Sequence, residues 1–425
     1  MAPGLTEATR VRAAIVASGS ELVRGDRHDR NGPFLAAELL RLGVDPARIT
    51  VVGDDPGDLE SALREGLTYD LLCISGGLGP THDDRTIELL ARAAGVDLEV
   101  SSELEAAIGE LSRRVAERLR RPYSDFAHGV RKQATLPVGA TWIGLVGTAP
   151  AVVLDVGGCT VVALPGPPRE LQQLWPRVLE TASLQALLGQ AIAPARTVLR
   201  FYGISESAVA QALAAAGGDG DGVEVTICAR DFELHVDLFA APGAEGRAAE
   251  LGNALVAPNE RFLFSRSETS TANVVLDLLR SRGLTVATAE SCTGGLVAGR
   301  LTDPPGSSDA FLGSIVAYSN DVKTNELGVP AELLASHGAV SAEVAAAMAS
   351  GARMRLGADV AVAVTGIAGP GGGTPEKPVG LVFLHASGPM GERSLRLDFP
   401  ADRETIRGRA TVAALHLVRQ LVTEK

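Results

Sequence analysis

Short apolar runs that alternate with amphipathic stretches are the feature that most constrains this chain. The runs Val11–Ser18, Ile49–Val52 and Leu71–Ser75 have the length and composition of buried strands. Between them, Phe34–Leu42 and Leu59–Leu67 carry apolar residues at the spacing of a helix with one buried face. This alternation is typical of a parallel sheet covered by helices. It predicts the α/β class for the first part of the chain.

A second alternation of the same kind begins near residue 270, where a helical pattern precedes the apolar run Leu284–Ala289. Between the two regions, Thr197–Tyr202 and Glu224–Phe239 are predicted to be extended stretches that flank one helical segment. The fold prediction is therefore α/β, with two three-layer domains joined by a small α+β connector. The predicted bounds are 10–185 for the first domain, 196–265 for the connector and 270–425 for the second domain.

Composition excludes several classes of protein. A net charge of −12 over 425 residues gives no basic surplus for duplex DNA, although small anions can still bind locally. The four cysteines, Cys73, Cys159, Cys228 and Cys292, are too widely spaced for a zinc site and fit a reducing compartment. No run approaches the roughly 18 to 20 apolar residues that span a bilayer. We predict a cytoplasmic protein with no direct nucleic-acid binding and no membrane span.

The segment Thr288-Ala-Glu-Ser-Cys-Thr-Gly-Gly295 is the most specific chemical signal in the sequence. It follows an apolar strand and precedes a helical pattern, so Ser291 is a candidate nucleophile and the amides of Thr293, Gly294 and Gly295 are candidate oxyanion donors. A serine or threonine helix cap followed by a tight glycine turn is the alternative.

Tyr318 and Lys323 follow a predicted strand end about thirty residues later. A buried lysine loses proton affinity, and in its neutral form it can act as a general base towards a serine, directly or through a tyrosine. An ordinary solvated charge is the alternative for Lys323.

Two further segments supply candidate substrate contacts. The loop Gly366–Gly373 follows an apolar strand and is rich in glycine, which makes Thr365 and Gly366 candidate ligand-binding residues. Arg403 and Arg407 lie four residues apart on one predicted helix face, a spacing suited to a phosphate. A flexible surface loop and surface-exposed arginines are the respective alternatives.

Residues 270–425 resemble the nicotinamide-nucleotide amidase domain of the CinA family of competence/damage-inducible proteins. The strings that carry the resemblance are Ala289-Glu-Ser-Cys-Thr-Gly-Gly295, Tyr318-Ser-Asn with Lys323, His337-Gly-Ala-Val-Ser341, Thr365-Gly-Ile-Ala-Gly-Pro370 and Lys377-Pro-Val-Gly380. The resemblance implies hydrolysis of nicotinamide mononucleotide to nicotinate mononucleotide and ammonia, with Ser291, Tyr318 and Lys323 as the catalytic group. It implies no cofactor for that reaction, and a homodimer.

In the N-terminal region, the strand Leu71–Ser75 runs into Gly76-Gly-Leu-Gly-Pro-Thr-His-Asp-Asp-Arg-Thr86. Glycine amides can hold a phosphate and adjacent carboxylates can hold a divalent cation. The predicted ligand-binding residues are Gly76, Gly77, Gly79 and Thr81, and the predicted metal ligands are Asp83 and Asp84. The alternative is an aspartate-capped helix after a glycine turn.

This N-terminal region resembles the molybdopterin-binding-like domain of CinA proteins, through the glycine motif together with Ser18–Leu22, Lys132–Ala134, Gly147–Pro150 and Leu164–Pro168. The resemblance implies metal-dependent hydrolysis of ADP-ribose in some members. This chain has Gly129 and Gly144 where the family usually carries polar residues, and Ala151 where it carries glycine. We therefore predict binding of a nucleotide diphosphate and leave its hydrolysis open. A non-catalytic pterin- or nucleotide-binding protein linked to DNA uptake is the remaining alternative.

Overall fold

The computed structural model describes residues 11–423, and the chain divides into two compact units, residues 1–195 and 196–425. The α/β class is confirmed, and the predicted connector and second α/β domain fall within one unit. No helix among residues 11–423 is both long and apolar enough to cross a membrane.

The first unit is built on a six-stranded sheet of order β2-β1-β3-β8-β7-β6. The strands of this sheet are β1 (Arg12–Ser18), β2 (Asp45–Val52), β3 (Leu71–Ser75), β6 (Thr141–Leu145), β7 (Pro150–Val156) and β8 (Cys159–Leu164). The unit also has β4 (Leu98–Val100) and β5 (Thr135–Pro137), which pair in a separate two-stranded antiparallel sheet. Its helices are α1 (Ser20–Val23), α2 (Asn31–Arg41), α3 (Pro56–Gly66), α4 (Thr86–Ala94), α5 (Ser102–Leu119), α6 (Ser124–Gln133), α7 (Pro168–Leu179) and α8 (Ala182–Leu188). Separate apolar clusters cover the two faces of the sheet, as a three-layer fold requires.

Only part of this sheet is parallel. Strands β2, β1, β3 and β8 run parallel, whereas β7 pairs antiparallel with both β8 and β6. Gly157 and Gly158, at φ 60° and 88°, form the two-residue turn between β7 and β8. Such a turn needs positive φ at both positions, which glycine adopts without steric strain. The tight turn leaves no room for a crossover helix, so the strands reverse direction.

In the second unit, the connector forms a four-stranded sheet of order β10-β11-β9-β12. Its elements are β9 (Ala195–Phe201), α9 (Glu206–Ala215), β10 (Val223–Arg230), β11 (Glu233–Ala240), α10 (Glu245–Val256), a 3-10 helix (Ala257–Phe262) and β12 (Leu263–Ser265). The stretch Glu224–Phe239, predicted as one extended segment, is a hairpin that turns at Asp231 and Phe232. The sequence offers no glycine or asparagine there, which is why the turn escapes a pattern-based prediction.

The rest of the second unit has a five-stranded sheet of order β14-β13-β15-β16-β17. Its strands are β13 (Val286–Glu290), β14 (Phe311–Val316), β15 (Val360–Gly366), β16 (Leu381–Gly388) and β17 (Gly391–Asp398). Its α-helices are α11 (Thr271–Ser281), α12 (Leu296–Thr302), α13 (Asn320–Leu327), α14 (Ala331–His337), α15 (Ala342–Leu356) and α16 (Arg403–Thr423). Strands β14, β13 and β15 are parallel, so their carboxyl ends meet at one edge, where sheets of this kind commonly bind ligands.

Candidate active site

Ser291 is the first residue after β13, an interior strand between β14 and β15 whose five residues are all buried. Its backbone amide donates to the carbonyl of Val364 on β15, which fixes the residue at the edge of the sheet. Only 9% of the Ser291 surface is exposed. The serine is therefore held by the sheet at the point where the predicted strand ends.

Lys323 approaches Ser291 from α13. Its ammonium nitrogen Nζ lies 3.2 Å from the Ser291 Oγ and donates to the Ala317 carbonyl at 2.8 Å. Lys323 is 1% exposed, and burial lowers its pKa below the ordinary value for lysine. Within residues 11–423 no carboxylate forms an ion pair with this side chain, so the buried amine has no counter-ion to favour its charged form. The structure brings these two predicted residues together.

Tyr318 has a different placement from the other two predicted catalytic residues. Its backbone carbonyl accepts a 3.5 Å hydrogen bond from Lys323, but its side chain is 60% exposed. The phenol oxygen accepts a hydrogen bond from Arg403 at 2.8 Å. The Tyr318 ring therefore lies at the mouth of the site and is linked to an arginine.

The buried carboxylate of Glu290 organises the turn that follows Ser291. One oxygen accepts from the amides of Gly295 and Val297, at 2.9 and 3.1 Å, and the other accepts from Ala298 at 2.8 Å. Glu290 is fully buried, so these bonds replace the hydration that the carboxylate loses. Glu290 is part of the motif identified in the sequence, but no role was predicted for it. No neighbouring residue indicates that its carboxylate accepts hydrogen bonds from backbone amides.

The glycine amides of the turn are already engaged. Gly294 donates its amide to the Ser291 carbonyl at 3.1 Å, and Gly295 donates to Glu290. A role for these two amides in holding an oxyanion would require those bonds to break. Gly294 and Gly295 adopt φ values of 61° and 97°, so their observed role is to form the turn itself. Thr293 is fully buried, and its carbonyl accepts from an arginine of α16.

Thr365 and the glycine loop complete the edge of the sheet. Thr365 is fully buried near the end of β15, and its hydroxyl donates to the Ala339 carbonyl at 2.7 Å. Gly366 packs so closely that a Cβ there would lie 2.8 Å from the Leu381 carbonyl oxygen. Lys377 ties the same region to the loop after α14 by donating to the Val340 carbonyl at 2.7 Å. The two ends of the predicted loop are thus held in place beside the site, whereas residues 370–376 are exposed.

Arg403 and Arg407 begin α16 and reach back to the catalytic turns. Arg403 donates to the Gly369 carbonyl at 2.8 Å, as well as to the Tyr318 phenol. Arg407 donates to the carbonyls of Cys292 and Thr293 at 3.1 and 2.9 Å. Both guanidinium groups keep further N–H donors, and both line an open cavity of about 680 Å³. Arg403 and Arg407 lie on one face of the helix, as predicted. Both also hold loops in place through these hydrogen bonds.

The N-terminal glycine motif surrounds a smaller cavity of about 200 Å³, which Gly77, Gly79, Asp84 and Lys132 help to line. Gly76 and Gly77 adopt φ values of 101° and 65°, and a Cβ at Gly76 would lie 2.3 Å from the Ser18 carbonyl oxygen. The glycines are therefore required by the turn. Of the predicted residues, Gly77, Gly79 and Asp84 line the cavity, whereas Gly76, Thr81 and Asp83 are not among its lining residues.

The two predicted metal ligands bind their own loop. The Thr81 hydroxyl lies 2.5 Å from a carboxylate oxygen of Asp83 and of Asp84, and the Thr81 amide donates to Asp84 at 2.9 Å. The Thr81 hydroxyl bond holds the pKa of Asp83 below its ordinary value. No group of three His, Cys, Asp or Glu side chains with metal-site geometry occurs in residues 11–423. The oxygen donors suit a hard divalent cation whose other ligands come from water or a diphosphate.

Asn31, at the start of α2, is a polar group that sequence reasoning did not single out. Its amide donates to the Ser75 hydroxyl and to the Gly166 carbonyl, both at 2.7 Å. Its Oδ1 and the hydroxyl of Ser18 are buried and have no hydrogen-bond partner among the described residues. Both unpaired atoms lie near the carboxyl ends of β1 and β3. Only the three-dimensional fold brings these residues together.

Comparison with known proteins covers both α/β regions. Residues 14–185 match the family model of a probable molybdopterin binding domain, and residues 268–422 match that of the CinA C-terminal domain. A CinA-like protein of Mycolicibacterium gilvum is 45% identical over 425 residues, which cover 97% of this chain and 99% of the relative. A CinA-like protein of Mycobacterium tuberculosis is 43% identical over 432 residues, covering 98% of each chain. The crystal structure of competence/damage inducible protein CihA from Agrobacterium tumefaciens shares 45% identity, covers 36% of this chain and 93% of its own, and has a TM-score of 0.35. This chain belongs to the CinA family.

Proposed function

We propose that the region after residue 270 hydrolyses the carboxamide of nicotinamide mononucleotide to nicotinate mononucleotide and ammonia. The observation that carries the proposal is the 3.2 Å contact between the Ser291 hydroxyl and the buried amine of Lys323. A lysine that lacks a counter-ion and is shielded from water is a suitable base for a serine nucleophile at moderate pH. A helix cap or a solvated surface lysine would need neither this burial nor this contact.

The reaction proceeds in two steps. Neutral Lys323 accepts the Ser291 proton while Oγ attacks the carboxamide carbon, and the protonated amine then donates that proton to the departing nitrogen. Ammonia leaves and a nicotinoyl ester remains on Ser291. A water molecule, deprotonated by Lys323, attacks the ester carbon and restores the serine hydroxyl. Every proton in this sequence passes through Lys323.

The remaining predicted residues hold the substrate. Arg403 and Arg407 offer their free N–H donors to the 5′-phosphate, because guanidinium groups form paired hydrogen bonds with phosphate oxygens. Tyr318 is predicted as the third catalytic residue, but its exposed phenol accepts a hydrogen bond from Arg403, so we assign it to substrate binding and give it no proton-transfer step. Thr365 holds the turn after α14 through the Ala339 carbonyl, so replacement by alanine disturbs binding more than chemistry.

The test is ammonia release from nicotinamide mononucleotide by the full-length protein without added metal. Ser291→Ala is expected to lose several orders of magnitude in turnover, as removal of a nucleophile usually does. Ser281→Ala, which removes an exposed serine hydroxyl on α11, is the matched control and keeps the wild-type rate. A Ser291→Ala enzyme with near-normal turnover would refute the mechanism, and an inactive wild type would refute the reaction.

A second candidate function rests on the N-terminal cavity beside Gly77 and Lys132. We infer that it binds a nucleotide diphosphate, with a divalent cation held by Asp83 and Asp84. Incubation with ADP-ribose and Mg²⁺ separates hydrolysis, which releases AMP, from binding alone, which is detected by calorimetry without AMP. Absence of both would remove this candidate.

A further inference from the structure

The hairpin of the connector has a strained turn at its tip. Asp231 and Phe232 adopt φ values of 51° and 64°, in the left-handed region. A two-residue hairpin turn requires positive φ at both positions, and Asn-Gly or Asp-Gly is the usual choice. Phenylalanine is a bulky residue that rarely adopts this conformation. Strain of this kind persists where the surroundings impose it, and it clusters at functional sites.

The position of the turn is fixed by contacts just behind it. Glu233, the next residue along the chain, hydrogen bonds with His416 of α16 at 2.7 Å. The Tyr202 ring stacks on the same imidazole with a centroid distance of 3.7 Å. His416 is fully buried, so the contact is shielded from water. The hairpin is therefore anchored to α16 and its tip has a defined place.

The tip of the hairpin packs against α16, the helix that carries Arg403 and Arg407. A Cβ at Gly408 would lie 3.0 Å from the Phe232 ring, so the glycine allows the close approach of the aromatic side chain. Phe232 and Asp231 line the 680 Å³ cavity together with Arg403 and Arg407. The Phe232 surface remains 42% exposed, so the ring is accessible to a ligand in this cavity.

We propose that the Asp231–Phe232 turn of the connector is part of the substrate site, where it borders the 680 Å³ cavity beside Arg403 and Arg407. This inference rests on the proposed function and adds a specificity-determining element to it. An apolar ring beside the arginines reduces solvent screening, which strengthens their attraction for a phosphate. Asp231 lies 3.8 Å from Arg300, and together with Asp303 and Glu404 it supplies three carboxylates to a cavity that has three arginines. This balance favours a ligand with a single phosphate group over one with more negative charge.

The sharpest test replaces Phe232 by glycine in the full-length protein. Glycine suits the positive φ, so Phe232→Gly removes the ring and keeps the turn. Thr226→Ala, on the exposed part of the same hairpin, is the matched control. Calorimetry measures the Kd for ribose 5-phosphate, and ammonia release gives kcat and KM for nicotinamide mononucleotide and for its nucleoside, which lacks the phosphate.

We expect Phe232→Gly to weaken ribose 5-phosphate binding about five- to tenfold through increased screening. KM for the nucleotide rises by a similar factor, kcat changes less, and KM for the nucleoside stays constant. Asp231→Asn is expected to tighten ribose 5-phosphate binding. Unchanged Kd and KM in Phe232→Gly would overturn the inference, and so would a wild type that does not bind ribose 5-phosphate at millimolar concentration. A wild type that binds it but releases no ammonia contradicts only the proposed reaction, and the Kd of Phe232→Gly then decides the inference.

Discussion

The two candidate sites of this chain begin alike but differ in how far their ionisable side chains are exposed to solvent. Each lies where a buried strand runs into a glycine turn. At the N-terminal motif, Asp83 and Asp84 stay near solvent and bond to the hydroxyl of their own loop. At the second site, Lys323 is 1% exposed and lies against Ser291. A buried ionisable group without a counter-ion costs folding free energy or gives up its charge, so its presence points to chemistry, whereas an exposed carboxylate carries little information about function.

Replacement of Lys323 gives the largest expected effect, and it tests whether the buried amine of the second site is needed for the reaction. Lys323→Met retains an unbranched apolar side chain and removes the amine, so turnover should fall about 10²- to 10⁴-fold, the usual contribution of a general base. Ammonia release under saturating nicotinamide mononucleotide measures it. Lys132→Met, which removes a lysine of the N-terminal cavity, is the control and should keep the wild-type rate of ammonia release.

Glu290 sharpens the comparison because it is a buried carboxylate that binds only amides and hydroxyls. Glu290→Gln turns one acceptor oxygen into an N–H donor that faces backbone amides. We expect the free energy of unfolding to drop by about 2 to 3 kcal/mol, the value of a charge-assisted hydrogen bond. Urea denaturation followed by circular dichroism measures the loss. An unchanged denaturation midpoint would mean that the turn is held by other contacts.

The pH dependence of the reaction tests whether Lys323 acts in its neutral form. The amine is a base only above its pKa, so kcat/KM must rise as pH increases through that value. Burial lowers this pKa, which places the rise at a lower pH than an exposed lysine would give. A rate profile from pH 6 to 11 measures it. A rise centred near the ordinary lysine value would contradict the assignment.

The smallest effect is expected at the exposed N-terminal carboxylate. Asp83 is 54% exposed in its side chain, so Asp83→Asn should shift the Tm by less than about 2 °C, as surface substitutions generally do. Differential scanning calorimetry provides the measurement. A larger loss would show that the loop depends on Asp83 for its structure.

Much of the fold follows from local pattern. The predicted strand Leu71–Ser75 coincides with β3 at both ends. The helix predicted to carry Arg403 begins at that residue. The Ser291 motif at a strand end is equally local. These features depend on side-chain periodicity and on turn residues, both of which are visible in a single sequence.

The unpredicted features depend on contacts between distant residues. Arg407 reaches the Cys292 carbonyl from 115 positions away, and no local pattern encodes that bond. The turn at Asp231 and Phe232 lacks the glycine or asparagine that usually permits such a turn. Contacts outside the hairpin impose its conformation instead. Gly157 and Gly158 mark the turn between β7 and β8 in the sequence. The antiparallel pairing of the two strands becomes evident only in the folded sheet.

The close packing of Phe232 on Gly408 has a consequence for how the family can evolve. Alanine within a helix is favoured over glycine by about 1 kcal/mol, so α16 gives up some stability at this position to admit the ring. The two positions should therefore change together: an alanine at 408 becomes acceptable when residue 232 is small. A domain that lost its connector would be released from that constraint, and glycine at 408 would be expected to drift towards alanine over generations.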